Sequence, residues 1–272
     1  MMWRAPLCAA ALLRAATASA EEIPAEALTD LPRADVIILG ELHDNPYHHE
    51  NQAMAVAAFE PEAIVFEMLT PELAEAVTPE LRGDRSALAA ALEWQDRGWP
   101  DFAMYHPIFT AAPGAAIIGG GLAQGVVREA VVAGAEAVFA QEIDAAAGRR
   151  LGLDRDLPAD SQDEREQLQA RAHCDALPEE MLSGMVEAQR LRDAALAHAT
   201  IMAAEKGPVV VITGNGHART DWGVPAKLER AAPELSVLSI GQLEAAPDTP
   251  HPYDHWVITD APERNDPCGA FR

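Results

Sequence analysis

Four short apolar runs in this chain carry no polar alternation: Val36-Ile37-Ile38-Leu39, Ala63-Ile64-Val65-Phe66, Ala115-Ala116-Ile117-Ile118 and Val209-Val210-Val211-Ile212. A strand with one wet face alternates apolar and polar residues, so an unalternated run reads as a strand buried on both faces. Two later strands are expected at 236–240 and 255–259. Segments of helical composition separate the runs: 48–59, a helix opened by Thr70-Pro71-Glu72, 87–97 closed by Gly98-Trp99-Pro100, 102–112, 126–140 and 224–230. Between 178 and 206, Met181, Met185, Ala188, Leu191 and Ala195 fall three or four apart, the spacing of one apolar helix face. Strand followed by helix, repeated, predicts an α/β fold with a mainly parallel central sheet flanked by helices. The acidic stretch 147–167 shows no period and reads as a surface excursion. No linker rich in Pro, Gly and Ser divides the chain, so 21–272 is read as a single domain with a helical insertion.

The first twenty residues fit an export signal. Arg4 gives a basic start, an apolar run broken by Arg14 follows, and Ala18-Ser19-Ala20 supplies the small residues that signal peptidase prefers. Cleavage is expected after Ala20, with a periplasmic product. Cys8 sits in a poor context for lipid attachment, so lipoprotein anchoring is not expected. No later segment is apolar enough for a membrane span. The net charge of −23, from 43 acidic and 20 basic residues, repels phosphate backbones and argues against nucleic acid as a partner. Cys174 and Cys268 remain after cleavage. An oxidising compartment permits a bond between them; a buried Cys174 with a loose Cys268 is equally open.

In open α/β sheets, ligands bind outside the carboxyl ends of the strands. Three chemically capable groups stand at such ends: His43 after the first run, Glu67 after the second and His217 after the strongest. Each His belongs to a Gly-x-x-His loop, Gly40-Glu41-Leu42-His43 and Gly214-Asn215-Gly216-His217. Glycine there allows a tight turn and close approach of a ligand to the backbone. The run from Gly40 to His49 adds Tyr47, His48 and His49. Adjacent helical residues point about 100° apart, so one of His48 and His49 is expected to face a ligand and the other water. There is no Gly-x-Ser-x-Gly elbow and no Walker loop, and Gly119-Gly120-Gly121 lacks a dinucleotide fingerprint.

These motifs carry a resemblance. Gly-Glu-Leu-His-Asp-Asn-Pro-x-His-His at 40–49, Phe66-Glu67-Met68, Trp94 with Gly98-Trp99-Pro100, Tyr105-His106-Pro107, Ala188-Gln189-Arg190-Leu191-Arg192-Asp193 and the 214–225 segment resemble the ChaN-like haem-binding family. Its superfamily also holds the Tiki, TraB and erythromycin esterase proteins. The resemblance spans about 33–259. It implies an α/β sheet with a haem pocket, a role in bacterial iron acquisition with envelope haem-transport components as partners, and assembly into a homodimer. The residues it places near haem are His43, Tyr47, His48, Tyr105, His106, His217 and Arg219. Phenolate and imidazole are both known haem ligands, and Tyr105 is the first choice. Trp94, Trp99 and Phe102 could wall a flat ligand, and Arg219 could meet a propionate or pair with Asp221.

The alternative is an enzyme. In the esterase branch of the superfamily, Glu41, His43, Glu67 and His217 match a catalytic cluster, with an imidazole base activating water. A variant with a divalent metal on His43, His217 and Glu67 suits the same residue types.

Overall fold

The computed structural model describes residues 20–247, 251–266 and 268–269. All of the expected export signal except Ala20 lies outside the described residues. In chain order the elements are β1 (Glu21–Glu22), β2 (Val36–Glu41), α1 (Pro46–Phe59), β3 (Ala63–Phe66), α2 (Pro71–Glu75), α3 (Pro79–Arg82), α4 (Arg85–Ala91), α5 (Phe102–Ala111) and β4 (Ala116–Gly119). They continue with α6 (Gln124–Ala133), α7 (Ala135–Phe139), α8 (Ala145–Arg150), α9 (Ala159–Ala172), α10 (Glu179–Ala204), β5 (Val209–Gly214), α11 (Asn215–Ala218), α12 (Val224–Ala231), β6 (Val237–Leu243) and β7 (His255–Ile258).

Among the described residues one seven-stranded sheet runs in the order β1-β7-β6-β2-β5-β3-β4, with every pairing parallel. The unalternated runs are its centre. Ile37, Leu39, Ile64, Phe66, Val210 and Ile212 pack on one face against α1, α4 and α5. Val36, Ile38, Val65, Val209 and Val211 pack on the other against α7, α10 and α12. Two covered faces are the reason these strands need no polar alternation.

The topology creates a crevice. From β2 the chain passes through α1 toward β3, on one side; from β5 it passes through α12 to β6, on the other side of β2. The two central neighbours thus send their connections in opposite directions and over opposite faces. Their carboxyl ends open into the gap, as at the switch points of doubly wound sheets.

Several local expectations change. The 147–167 stretch is not an excursion without structure: α8 ends at Arg150, and α9 is a regular helix lying on α10. Its pattern was hidden because no α9 residue is fully buried, so no apolar stripe was needed. The expected helix at 126–140 breaks at Gly134, whose φ of 86° suits glycine. The short β1 pairs with β7 through Glu21 and Glu22, residues with no strand signature. Gly121 does more than turn the chain: a Cβ there would collide with the Glu67 carbonyl, and its own N–H donates to Leu69 O at 2.7 Å. Cys174, just past α9, is bonded to Cys268, closing the pairing that the sequence left open. Among the described residues no helix is long and apolar enough to cross a membrane.

Candidate functional site

Three strand ends bring the predicted residues together. Glu41 is the last residue of β2, and His43 lies on the open turn that follows. Glu67 stands just beyond β3. His217 sits in α11, which starts directly after β5. Gly214 packs tightly under the first loop: an added Cβ would lie 3.0 Å from His43 Nε2 and the imidazole would have to give way.

Two imidazoles face one carboxylate. His43 Nδ1 donates to Glu41 Oε1 at 2.6 Å, and His217 Nδ1 donates to Asp193 Oδ1 at 2.6 Å. Their Nε2 atoms both face Glu67 Oε1, at 3.9 Å and 3.5 Å. The Arg192 guanidinium pairs with that same oxygen. Glu67 Oε2 accepts from Thr213 Oγ1 and Gly214 N, each at 2.7 Å. Glu41 also accepts from Tyr105 Oη at 2.6 Å and from Gln52 Nε2 at 2.7 Å, and His49 Nδ1 lies 3.4 Å from its second oxygen.

The charges follow from this wiring. Burial opposes ionisation of Glu67, but His217, Arg192 and His43 around it hold its carboxyl well below the usual range. Burial likewise opposes charge on Glu41, yet hydrogen bonds from His43 and His49 bring its pKa down. Burial alone would keep His217 neutral; Glu67 and Asp193 overcome it and raise its pKa to about 9. His43 is raised too, against burial, by Glu67 and Glu41. His217 is therefore held as an imidazolium among the Arg192 guanidinium and the Glu67 and Asp193 carboxylates, with each charge paired as burial requires.

The candidate residues divide into those the structure brings together and those it does not. Glu41, His43, Glu67, His217 and Tyr105 converge. Tyr105, the first choice for an iron ligand, is fully buried beneath the cluster. Burial and the Glu41 carboxylate push its pKa up, so it serves as a hydrogen-bond donor there. His48 and His49 correct the expectation that one faces water, since both are fully buried. His48 Nδ1 accepts from Leu42 N at 2.9 Å, its Nε2 meets Thr259 Oγ1 at 2.9 Å, and burial with His49 nearby lowers its pKa to about 4. It is a neutral brace for the first loop. His49 Nε2 donates to His43 O at 2.9 Å, so the second imidazole of the pair also serves the cluster. His106 turns away to Arg82 O at 2.8 Å. Tyr47 is exposed at the start of α1. Arg219 pairs with Asp221 at 2.6 Å and stacks on Trp222, its Cζ 3.8 Å from the ring centroid.

Sequence reasoning from strand ends missed Arg192 and Gln189, which reach the site from the middle of α10; Gln189 lies 3.0 Å from His217 Nδ1. No local pattern in the sequence marks them. Arg190 and Asp193 are buried on the same helix, but on the face opposite the Met181 to Ala195 stripe.

Two clefts flank the cluster. One, of about 570 Å³, is lined by Glu67, Trp99, Leu122, Val127, Arg192 and Leu196, together with Arg97, Arg128 and the acids Glu93 and Asp96. His43 packs on Trp99, ring centroids 5.0 Å apart. The other, of about 320 Å³, lies beyond Arg192 between α9, α10 and the second loop. Among the described residues no group of His, Cys, Asp and Glu side chains is arranged to hold a metal ion. Arg192 already places a cation on the Glu67 oxygen that a dication would share.

Comparison with known proteins gives a consistent result. A structure of cofacial haem binding to ChaN of Campylobacter jejuni superposes with a TM-score of 0.63 at 18% identity, covering 84% of this chain and 89% of that one. The type III effector HopBA1 gives a TM-score of 0.46 at 14% identity over 87% of this chain and 92% of its own, too low to carry an argument. A search of curated proteins finds no match. The model of the family described as "Haem-binding uptake, Tiki superfamily, ChaN" matches residues 27–228, most of the chain and every strand-end residue of the cluster, and the chain belongs to that family.

Proposed function

We propose that the protein binds haem in the Trp99 cleft and serves haem or iron uptake or trafficking in a bacterial envelope. The observation that carries this reading is Arg97. Its Nε is buried without a hydrogen-bond partner, and the residue lines a cleft whose volume of about 570 Å³ lies within the usual range for small-molecule sites. A buried donor left unpaired costs free energy that an anionic ligand group recovers. Haem needs a flat apolar wall, cations for its propionates and an axial ligand. Trp99, Leu122, Val127 and Leu196 offer the wall; Arg97 and Arg128 offer the cations. His43 is the axial candidate, because 32% of its side chain is exposed beside Trp99, whereas Tyr105 is fully buried with its hydroxyl held by Glu41. Bound haem supplies an iron centre for which imidazole is a known ligand. The Cys174–Cys268 bond favours an oxidising compartment and so supports export to the periplasm. Homodimer formation and hand-over to envelope haem-transport components belong to the same proposal through the family.

The test is a ferric haem titration of the chain from Glu21 onward, followed by absorption. Saturable binding with a shifted Soret band is expected. Loss of that shift in His43→Ala, weakening by about tenfold in Arg97→Gln (one charge-assisted bond) and retention in Tyr105→Phe would support the assignment. Absence of saturable binding would sink it.

A hydrolytic second reading rests on one observation: the Glu41–His43 and Asp193–His217 pairs both converge on Glu67. In that reading the exposed His43 is the acid-base group, and Glu67 and His217 hold the charge around it. It survives only if the pure protein turns over simple aryl esters and His43→Ala abolishes that turnover.

A further inference from the structure

The second cleft has a chemistry of its own. Its volume of about 320 Å³ is a little over half that of its neighbour. Arg165, Arg192 and Arg219 line it, and no carboxylate does, in a chain with 43 acidic residues. The rest of its wall is largely apolar, including Leu168 and Met185. Trp222 organises the cations: Arg219 Cζ lies 3.8 Å from its ring centroid and Arg165 Cζ 4.9 Å from the same centroid. An indole face attracts guanidinium groups and holds them in place.

The three arginines differ in how far they are already satisfied. Arg192 is paired with Glu67, and Arg219 with Asp221. Arg165, half-buried on α9, has a hydrogen bond to Ser161 Oγ at 3.2 Å and its place over Trp222. Among the described residues it makes no ion pair. The acids whose charge reaches it are Asp193 and Asp221, opposed by Arg190 and Arg219. A positive head group above an apolar floor, with one guanidinium short of a partner, is the pattern of an anion site.

We infer that this cleft is a second ligand site, separate from the Trp99 cleft, for a small molecule with an apolar body and one anionic head held by Arg165 and Arg219. The apolar body lies against Leu168 and Met185. Gly216 and Gln189 line the cleft, and Gln189 touches His217, so occupancy is felt at the cluster through the second loop.

The inference is independent of the haem reading, and the experiment separates them. Naphthalene-2-sulfonate is titrated calorimetrically into the full chain, with naphthalene-2-sulfonamide as the neutral control. One saturable site is expected for the sulfonate, with the sulfonamide at least tenfold weaker. Arg165→Gln and Trp222→Leu, each checked for an unchanged melting profile, should weaken the sulfonate at least tenfold while haem binding is retained. Arg97→Gln should retain the sulfonate. Equal binding of both probes, no saturable binding, or loss of the sulfonate in Arg97→Gln but not in Arg165→Gln would overturn the inference. If Arg165→Gln and Trp222→Leu abolish haem binding as well, the two clefts are one site and the proposal of a separate one falls.

Discussion

After β2 the chain runs on as an open turn and reaches α1 only at Pro46, capped by Asn45, so His43 projects from irregular backbone with 32% of its side chain exposed. After β5 it coils at once into α11, which carries His217 inward and leaves 5% exposed. The two loops share the pattern Gly-x-x-His. Their imidazoles also face the same Glu67 carboxylate. They differ in where the second carboxylate comes from: Glu41 is two residues back, at the end of β2, whereas Asp193 arrives from the middle of α10. A local partner leaves its imidazole at the rim, where a ligand can reach it. A partner from a packed helix locks its imidazole into the interior. One four-residue pattern thus yields a rim residue and an interior one, according to what coils behind it.

Removing the shared carboxylate tests both loops at once. Glu67→Ala leaves His43, His217 and Arg192 facing one another without their common anion, and breaking a buried charge cluster in this way costs about 3–5 kcal/mol. Urea unfolding should show that loss. A cost below that of removing His43 alone would mean that Glu67 is not the shared centre.

A pH series sharpens the contrast. The folded-state pKa of His217 is raised to about 9, so the stability it contributes is fully present below the unfolded value of about 6.5. That contribution is lost as pH rises through about 9, and amounts to about 3 kcal/mol at most. Wild-type unfolding free energy should fall across that window, and His217→Gln should flatten the fall. Glu67 acts oppositely. Its lowered pKa stabilises above the ordinary carboxylate range and is lost as pH falls below it.

Tyr105→Phe removes a hydrogen bond to an ionised carboxylate and should cost about 2 kcal/mol. Its effect should stay within the first loop, so the NMR titration of His217 should not move. The smallest effect is expected for His43→Ala, at about 1 kcal/mol, because water reaches the vacated position and Glu41 keeps Tyr105, Gln52 and His49. If His43→Ala destabilises as much as His217→Ala, the distinction between rim and interior is wrong.

Much of this was legible in the sequence, for physical reasons. A strand covered on both faces has to be apolar throughout, so β2, β3 and β5 announce themselves, and whatever polar group ends such a run stands at the sheet edge. That logic reaches Glu41, His43, Glu67 and His217. It does not reach Arg192 or Gln189, since a helix side chain enters the site through tertiary packing that no local pattern encodes. It also fails for Arg165, whose helix α9 buries no residue fully and therefore lacks a stripe. His48 and His49 illustrate a different limit. Two neighbours on a helix do diverge, but here both directions lead into protein: one to the Leu42 N–H, the other to the His43 carbonyl and Glu41.

The bond between Cys174 and Cys268 spans 94 positions and turns the last third of the chain into a covalent ring. That ring contains α10, β5, β6 and β7, hence Asp193, Arg192 and the whole second loop, while the first loop lies on the arm outside it. A single proteolytic cut inside the ring would leave one molecule on a non-reducing gel and release two fragments only after reduction. A cut between α5 and α9 would free the amino-terminal arm at once under denaturing conditions. Limited digestion read with and without reductant therefore maps which half of the site a nick has entered.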